Sequence, residues 1–426
     1  MSAPAFRVPA VVVGAGPAGL ATSHHLARLG VEHVVLERDS VGATWRSARW
    51  DSFTLVTPTW SLRLPGLRAP DSDPDAFLPR DAFVELLDGY ARDAGLPVRT
   101  GVEVRRLRGE GGDYVLDTSE GAWSTRAVVI ASGALRVPNV PAGMDVPPGL
   151  TALHAVDYRR PGQLPPGAVL VVGSGQSGTQ IADELRRAGR RVLLATSAAG
   201  RVPRRYRDRD VFGWLRQLGM LEQSTEQAPA EARRAPQPAV SGAHGGRTMA
   251  LQQLARDGVV LLGRLTGIQG GRFHFADDLA DHMRGADAFA ERFRGQVDQA
   301  LQGRPAGAEA GPEAGPEAGP EAGPPDTDPA ELPLDAVPAA PTEIDARGEG
   351  ISTVLWCTGM GPDTAWLPDD LLTPTGVPKH RLGATPLPGV HMVGFPWLTH
   401  RASGILYGMG ADAARVAERI RADLAT

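Results

Sequence analysis

The sequence predicts an α/β protein with two Rossmann-like parallel-sheet domains, the second inserted into a discontinuous first domain. The main observation is one pattern that occurs twice, namely an apolar strand, a glycine-rich turn, a helix and a second apolar strand. The first copy covers residues 8–37 and the second copy covers residues 169–194. A length of 426 residues is enough for two or three domains of ordinary size.

Further elements are expected around the two copies. Alternating polar and apolar residues with glycine turns predict a small antiparallel meander over residues 98–131, which returns to a core strand. Apolar runs predict buried strands at 351–359 and 389–395. An amphipathic pattern over residues 404–422 predicts a helix that closes the fold.

These elements set the expected domain boundaries. We expect the first domain to comprise residues 1–160 and 346–426, and the inserted domain to comprise residues 165–345. Within the inserted domain, Glu-Ala-Gly-Pro repeats predict a disordered segment over residues 305–330. Ten acidic and no basic side chains lie between residues 305 and 345. A segment of this composition buries too little apolar surface to offset its ordering entropy.

Composition argues against several classes of function. The net charge of -5 argues against general nucleic-acid binding, and no apolar run approaches the ~20 residues that cross a bilayer. No secretory signal pattern is found, so we expect a cytoplasmic protein with no membrane partner. The single cysteine, Cys357, excludes an intramolecular disulfide and a dithiol redox centre. No metal site is predicted, and a homodimer is left open.

Both glycine turns have the pattern G-x-G-x-x-G between a strand and a helix, which is the context that dinucleotide-binding turns require. Such a turn lets the backbone approach a pyrophosphate closely and directs the positive end of the helix toward it. The predicted cofactor contacts in the two turns are Gly14, Gly16, Pro17, Ala18, Gly19, Gly173, Gly175, Gln176, Ser177 and Gly178.

The residue eighteen positions after each turn indicates which dinucleotide binds. Glu37 follows the first turn, and a carboxylate at this place accepts hydrogen bonds from an adenosine ribose. Thr196 follows the second turn and would not repel a 2'-phosphate, with which the nearby Arg201, Arg204 and Arg205 would pair. The pattern therefore predicts FAD in the first site and NADPH in the second. A solvated basic loop is the alternative interpretation of these arginines.

Further motifs resemble those of one enzyme family. Gly42 to Trp45 looks like a Gly-Gly-x-Trp segment, Ala131 to Gly133 looks like a first hinge, and Trp356 to Gly359 with Asp363 looks like a second hinge. With the two glycine turns, these motifs make nearly the whole chain resemble the class B flavin-dependent monooxygenases, especially small bacterial members. The resemblance adds the following expected cofactor contacts: Arg38, Trp45, Val104, Ser132, Gly133 and Gly359.

The resemblance also suggests candidate catalytic residues. His154 and Tyr158 match the H-x-x-x-Y part of the family fingerprint, whereas Pro148 and Leu150 replace its upstream F-x-G. This departure does not favour the Baeyer-Villiger subtype. Thr57 lies roughly where the family places a residue at the flavin edge. A buried structural histidine is an equal alternative for His154.

The resemblance implies an NADPH-dependent flavoprotein monooxygenase. NADPH would reduce FAD, and the reduced flavin would combine with molecular oxygen to give a C4a-hydroperoxide that oxygenates a small-molecule substrate at nitrogen, sulfur or a carbonyl. Two alternatives stay open at this point: a flavin-dependent NADPH oxidase or reductase without oxygen insertion, and a non-catalytic flavin-binding regulatory protein. No pattern in residues 50–80 or 205–300 identifies the substrate.

Overall fold

The computed structural model describes residues 6–68, 70, 73–110, 112–234, 237–302, 323–335 and 339–425. Within these ranges the α-helices are α1 (Pro17–Arg28), α2 (Ala43–Ser47), α3 (Arg80–Asp93), α4 (Gln176–Arg187), α5 (Val211–Gln217), α6 (Ala230–Arg234), α7 (Leu251–Arg256), α8 (Leu279–Gln302) and α9 (Leu406–Ala425). The strands are β1 (Phe6–Arg7), β2 (Ala10–Val13), β3 (His33–Leu36), β4 (Val98–Arg99), β5 (Val104–Glu110), β6 (Asp113–Thr118), β7 (Gly121–Thr125), β8 (Ala127–Ile130), β9 (Val137–Pro138), β10 (Thr151–His154), β11 (Ala168–Val172), β12 (Val192–Ala195), β13 (Arg205–Tyr206), β14 (Arg209–Asp210), β15 (Val240–Ser241), β16 (Arg247–Thr248), β17 (Val260–Leu262), β18 (Leu265–Gln269), β19 (Arg272–Phe275), β20 (Glu343–Asp345), β21 (Ile351–Trp356), β22 (Met360–Gly361) and β23 (Val390–Met392).

The first domain is built on a five-stranded parallel sheet with strand order β23-β8-β2-β3-β4. Strands β2 and β8 consist of small and branched apolar residues that are buried throughout, because helices or the meander cover both faces of the sheet. Helices α1 and α9 pack against each other over one face. The predicted α/β fold class is confirmed for this domain.

A second five-stranded parallel sheet forms the inserted domain, with strand order β10-β21-β11-β12-β17. The domain boundaries expected from the sequence are therefore wrong at two strands. Strands β10 and β21 pair inside the second sheet, although both lie in ranges expected for the first domain. Their apolar residues match a buried strand in either sheet equally well. The chain therefore crosses between domains after β8 and again after β21, and not near residues 160 and 346.

The two crossings run side by side. Strand β9 on the first crossing pairs antiparallel with β22 on the second, and the Asn139 amide donates to the Gly359 carbonyl at 3.0 Å. The Asn139 side chain also donates to the Thr358 carbonyl at 3.2 Å. These hydrogen bonds join the two expected hinge segments into one two-stranded connection.

The predicted meander consists of β5, β6 and β7, which pair antiparallel, and β1 adds to its edge in parallel. The chain then continues into the core strand β8, as the alternation predicts. The closing helix α9 is also present and begins at Leu406, after a short 3-10 turn over Arg401–Gly404.

The predicted disordered segment lies mostly outside the described residues, which resume at 323. From there the chain packs against the inserted domain: the Arg207 amide donates to the Asp326 carboxylate at 2.9 Å, and the buried Glu331 pairs with Arg201 and Arg294. Residues 323–330 thus have specific contacts in the structure, and disorder of the repeat segment stays a prediction. The acidic composition hid these contacts because their arginine partners are distant in sequence.

No helix in the described ranges combines the length and apolar character that a membrane span requires.

Candidate functional site

The first glycine turn, between β2 and α1, is shaped by three glycines with different roles. Gly14 has φ +108°, and a Cβ there would lie 2.6 Å from the Ala131 carbonyl oxygen. A Cβ at Gly19 would clash with the Gly14 carbonyl, so this glycine allows helix α1 to approach the turn. A Cβ at Gly16 would meet nothing within 4 Å, which leaves open space at the N-terminus of α1. This space is where a dinucleotide pyrophosphate would bind.

Glu37 lies at the end of β3 and faces this turn. Its carboxylate accepts hydrogen bonds from the Ala15 amide at 2.8 Å and from the Asp39 amide at 3.0 Å. The two amides fix the carboxylate beside the glycine turn, where it can also accept hydrogen bonds from ribose hydroxyls. This geometry fits the role that the sequence predicts for Glu37.

Two adjoining cavities extend from Glu37. The first, of about 260 Å³, is lined by Arg38, Val104, Ser132 and Trp366, and the Arg38 guanidinium pairs with the Asp363 carboxylate at 3.0 Å across it. The second, of about 160 Å³, follows the glycine turn toward α9. We call this second cavity the flavin cavity. Both cavities are lined by Gly14, Glu37, Thr44 and Ser132, so they adjoin each other along the first glycine turn.

Most of the predicted FAD contacts line these two cavities. They are Gly14, Gly16, Pro17, Ala18, Glu37, Arg38, Trp45, Val104, Ser132 and Gly133. Gly19 and Gly359 do not line them. Gly19 acts through close packing, and the Gly359 carbonyl accepts hydrogen bonds from Asn139 and His154.

Sequence reasoning missed the end of the flavin cavity farthest from Glu37. Its wall includes Gly394 and Gly404 from the segment between β23 and α9, Met409 from α9, and also Arg49 and Arg136. A Cβ at Gly394 would lie 2.6 Å from the Ala18 side chain, so only glycine fits there at φ +79°. A glycine directly after a buried strand was the available signal in the sequence.

The second glycine turn, between β11 and α4, repeats the geometry of the first. A Cβ at Gly173, which has φ +104°, would lie 2.6 Å from the Cys357 carbonyl oxygen, and a Cβ at Gly178 would clash with the Gly173 carbonyl. A Cβ at Gly175 would again meet nothing within 4 Å. The turn therefore has the same open space at a helix N-terminus. Ser177 follows in the first turn of α4, and the Gln176 side chain is bound by the Val240 backbone.

Thr196 directs its hydroxyl into the protein. The hydroxyl donates to the Leu262 carbonyl at 2.7 Å and lies 2.9 Å from Nδ1 of the buried His282. No carboxylate occupies this position, as predicted, but the hydroxyl itself does not face a nucleotide. The neighbouring Ser197 amide donates to the Ser174 hydroxyl at 2.9 Å and so ties the strand end to the glycine turn.

Two of the predicted phosphate-binding arginines are buried and paired within the protein. Arg201 contacts Asp287 at 2.6 Å and also pairs with Glu331. Arg204 contacts Asp210 at 2.8 Å and donates to the Val56 carbonyl at 2.8 Å. Burial lowers the pKa of both guanidinium groups, but the nearby carboxylates oppose this effect. Their charges are compensated within the chain, so the structure does not offer them to a 2'-phosphate.

Arg205 is exposed but lies far from Thr196. Helix α8 shows this, because Thr196 contacts its His282 whereas Tyr206, next to Arg205, donates to its Asp298 at 3.0 Å. Sixteen helical residues correspond to about 24 Å. An exposed cation near this strand end is Arg264, which follows β17 beside Thr196 and lies 3.9 Å from the Asp278 carboxylate. The arginines after Thr196 are close to it in sequence, but the chain runs along α8 and places Arg205 far from Thr196 in space.

The three catalytic candidates do not line either cavity. His154 Nδ1 accepts from the Val156 amide at 3.2 Å, which leaves Nε2 to donate to the Gly359 carbonyl at 3.1 Å, and burial lowers the pKa of this imidazole. The buried Tyr158 donates to Glu184 at 2.7 Å, and burial raises the pKa of both groups. Thr57 is buried. These contacts indicate that His154 braces the second crossing and that Tyr158 fixes α4.

No cluster of three or more His, Cys, Asp or Glu side chains suited to a metal ion occurs in the described residues. The fold and the two turns define a flavoprotein type with two dinucleotide-binding domains. Residues 11–218 match the model of the pyridine nucleotide-disulphide oxidoreductase family.

Three further proteins are similar to this chain in sequence or in structure. An uncharacterized CzcO-like oxidoreductase of Geobacillus kaustophilus (strain HTA426) is 26% identical over 411 residues, which is 95% of this chain and 96% of the relative. Indole-3-pyruvate monooxygenase YUCCA1 of Oryza sativa subsp. japonica is 36% identical over 193 residues, or 42% of this chain and 45% of the relative. A flavin-containing monooxygenase from Stenotrophomonas maltophilia superposes with a TM-score of 0.63 at 20% identity, covering 98% of this chain and 99% of that structure.

These similarities confirm four of the predictions: the resemblance to flavin-dependent monooxygenases, the fold with two Rossmann-like domains, the oxidoreductase class and the cofactor pair FAD and NADPH. The roles of the individual site residues stay predictions that rest on geometry.

The two open glycine positions give a matched pair of variants. Gly16→Val should yield folded protein with little FAD, because the side chain fills the pyrophosphate space without touching protein atoms. Gly175→Val should retain FAD and instead weaken NADPH binding. Flavin absorbance per protein and coenzyme titration check both results. Normal FAD content in Gly16→Val would contradict the first site.

Coenzyme selectivity gives a second test. Arg264→Ala should raise the KM for NADPH about tenfold and leave that for NADH unchanged, because a charge-assisted hydrogen bond to a phosphate contributes roughly 1.5–3 kcal/mol. Arg205→Ala is the matched control and should change neither value. Steady-state kinetics with both coenzymes measures the effect, and equal losses for NADPH and NADH in Arg264→Ala would exclude this assignment.

Proposed function

We propose that the protein is an FAD- and NADPH-dependent monooxygenase that oxygenates a small molecule at nitrogen, sulfur or a carbonyl. Bound FAD supplies the oxygen chemistry, through the C4a-hydroperoxide that the family resemblance implies, and NADPH supplies the hydride. The observation that carries the proposal is one segment, residues 45–56, which forms a wall of the flavin cavity and also binds the inserted domain. We call it the shared wall.

The shared wall faces the flavin cavity through Trp45 and Arg49. On its other side, the Asp51 amide donates to the Arg159 carbonyl at 2.8 Å, and the Ser52 hydroxyl donates to Glu184 at 2.6 Å. Farther along, the Val56 carbonyl accepts a hydrogen bond from the buried Arg204. One short segment therefore contacts both dinucleotide-binding domains.

These contacts bring the second glycine turn close to the flavin cavity. Glu184 lies on helix α4, which begins at Gln176 beside the turn, so the two points are eight residues or about 12 Å apart along the helix. Because Glu184 binds both Ser52 and Tyr158, it holds α4 against the shared wall. This arrangement supports hydride transfer from a pyridine nucleotide in the second turn to a flavin in the first domain.

The flavin cavity also supports the exclusion of bulk water. Its lining includes the apolar side chains of Val393, Pro396, Met409 and Trp45, together with the two charged side chains of Arg49 and Arg136. A dry site slows the loss of reactive oxygen species to water, which oxygen insertion requires and simple oxidation does not.

Dithiol chemistry has no basis in this chain, although the family name includes disulphide oxidoreductases. Cys357 is the only cysteine, it is buried, and burial raises the pKa of its thiol to about 12. A dithiol cycle needs two sulfur atoms that exchange by thiolate attack. The proposed enzyme uses molecular oxygen as its electron acceptor.

The removal of this thiol is a direct test. Cys357→Ala should retain at least about half of the NADPH oxidation rate and lose at most about 1–2 kcal/mol of stability, because only a small buried group is deleted. Oxygen uptake and thermal unfolding measure these quantities. A stable variant without activity would show that the thiol takes part in turnover.

Accounting for oxygen tests the proposed function itself. The holoenzyme is mixed with NADPH, oxygen and a panel of amines, sulfides, ketones and arylpyruvates, the last chosen because one relative is named for indole-3-pyruvate. We expect one class to stimulate NADPH oxidation and to give a product heavier by one oxygen atom, or its decarboxylated form. Stoichiometric hydrogen peroxide with every compound would support an oxidase, and no NADPH consumption would contradict an enzyme.

A further inference from the structure

We propose that Arg49, assisted by Arg136, is the counter-cation for an oxyanion bound in the flavin cavity. The inference rests on the proposed function in that it takes this cavity as the flavin site. It adds residues that neither the sequence motifs nor the family resemblance assigned.

The charge of the flavin cavity is the first observation. Arg49 and Arg136 are its two basic lining residues, and Glu37 is the acidic one. Both oxygens of Glu37 already accept backbone hydrogen bonds from Ala15 and Asp39. In the described part of the chain, no carboxylate lies within 4.0 Å of either guanidinium group. The cavity therefore has uncompensated positive charge at the end away from Glu37.

The surroundings of Arg49 are the second observation. One guanidinium nitrogen donates to the Ala48 carbonyl at 2.8 Å, and the group lies 5.6 Å from the Trp45 ring centre and 5.7 Å from the Phe53 ring centre. Burial lowers the pKa of Arg49 to about 10, so the side chain stays charged at neutral pH. The aromatic rings offset only part of the cost of an enclosed charge.

Other enclosed arginines of this protein are paired differently. Arg80 contacts Asp51 and Asp81 at 3.1 and 2.8 Å, and Arg204 contacts Asp210 at 2.8 Å. Arg159 and Arg190 have no carboxylate partner among the described residues, but each donates to several backbone carbonyls. In the same part of the chain, Arg49 has no carboxylate partner, donates to one carbonyl and borders a cavity, so we assign the missing anion to a ligand.

Two ligands can supply this oxyanion. The pyrophosphate of FAD would bind at Gly16 and Pro17, which line the same cavity as Arg49. A carboxylate on the substrate would enter the cavity beside Trp45. The chemistry is the same in both cases, namely a guanidinium hydrogen-bonded to negatively charged oxygen, and the experiment separates the two sources.

The proposal predicts that replacing Arg49 raises the stability of the ligand-free protein and lowers its affinity for the ligand. Loss of an uncompensated charge should stabilise the protein without its ligand, whereas loss of a ligand contact should weaken binding. An arginine that only packs on aromatic rings would destabilise both forms when it is replaced.

The experiment compares Arg49→Met, which removes the charge at similar size, with Arg49→Lys, which keeps it. Arg92→Met is the matched control, because Arg92 is exposed on α3 and pairs with Asp88 at 3.3 Å. Thermal unfolding of protein stripped of flavin, FAD titration and stabilisation by inorganic pyrophosphate are measured for each. Parallel assays compare the KM for an arylpyruvate and for its methyl ester.

We expect Arg49→Met to unfold at the same or a higher temperature without flavin and to bind its oxyanion at least about tenfold more weakly, with partial recovery in Arg49→Lys. Weaker FAD binding and lost stabilisation by pyrophosphate would identify the cofactor as the source. A higher KM for the arylpyruvate but not for the ester, with unchanged FAD binding, would identify the substrate.

The proposal is overturned if Arg49→Met changes neither FAD binding nor the preference for the carboxylate. It is equally overturned if the variant loses stability with and without flavin. These outcomes differ from failure of the flavin site itself, which normal FAD content in Gly16→Val would reveal.

Discussion

The rest of the structure depends on the close approach between the first glycine of each turn and the segment that leaves the same sheet. Gly14 packs on the Ala131 carbonyl, and Gly173 packs on the Cys357 carbonyl, with room for no side chain in either place. Ala131 and Cys357 begin the two crossings between domains. The same backbone contact therefore sets the dinucleotide turn and the start of the interdomain connection, so neither can move without the other.

This constraint explains how two separately folded sheets can position two cofactors. The crossings are joined by the pairing of β9 with β22, which limits independent motion of the domains at one side. The shared wall fixes the other side through hydrogen bonds of Ser52 to Glu184 and of Val56 to Arg204. Arg204 also lies 4.2 Å from the Phe77 ring centre, so its burial adds packing to this contact. Coupled cofactors need such a defined interface, because hydride transfer requires close and reproducible geometry.

The sequence was sufficient for features that depend on neighbours along the chain. The glycine turns, Glu37 and the meander follow from local patterns of residue size, polarity and spacing, and the structure has each of them where the pattern predicts it. Strand β21 shows the limit of sequence-based prediction, because the apolar pattern of a strand does not indicate which of two sheets it joins. Arg201 shows the same limit for charge, since its partners Asp287 and Glu331 lie 86 and 130 residues away. Pairing at such distances decides whether a basic run binds a ligand or stabilises the fold, and no local pattern contains it.

The arginines of the chain differ in how their positive charge is compensated. An arginine keeps its charge when enclosed, so each enclosed guanidinium must find negative oxygen or dipoles nearby. Arg201 and Arg204 pair with carboxylates of the inserted domain, and Arg204 also donates to the Val56 carbonyl of the shared wall. Among the described residues, the Arg49 guanidinium contacts one backbone carbonyl and two aromatic rings, although it lies on the same wall. Arg49 lines the flavin cavity. In our proposal, an anionic ligand in this cavity compensates the positive charge of Arg49.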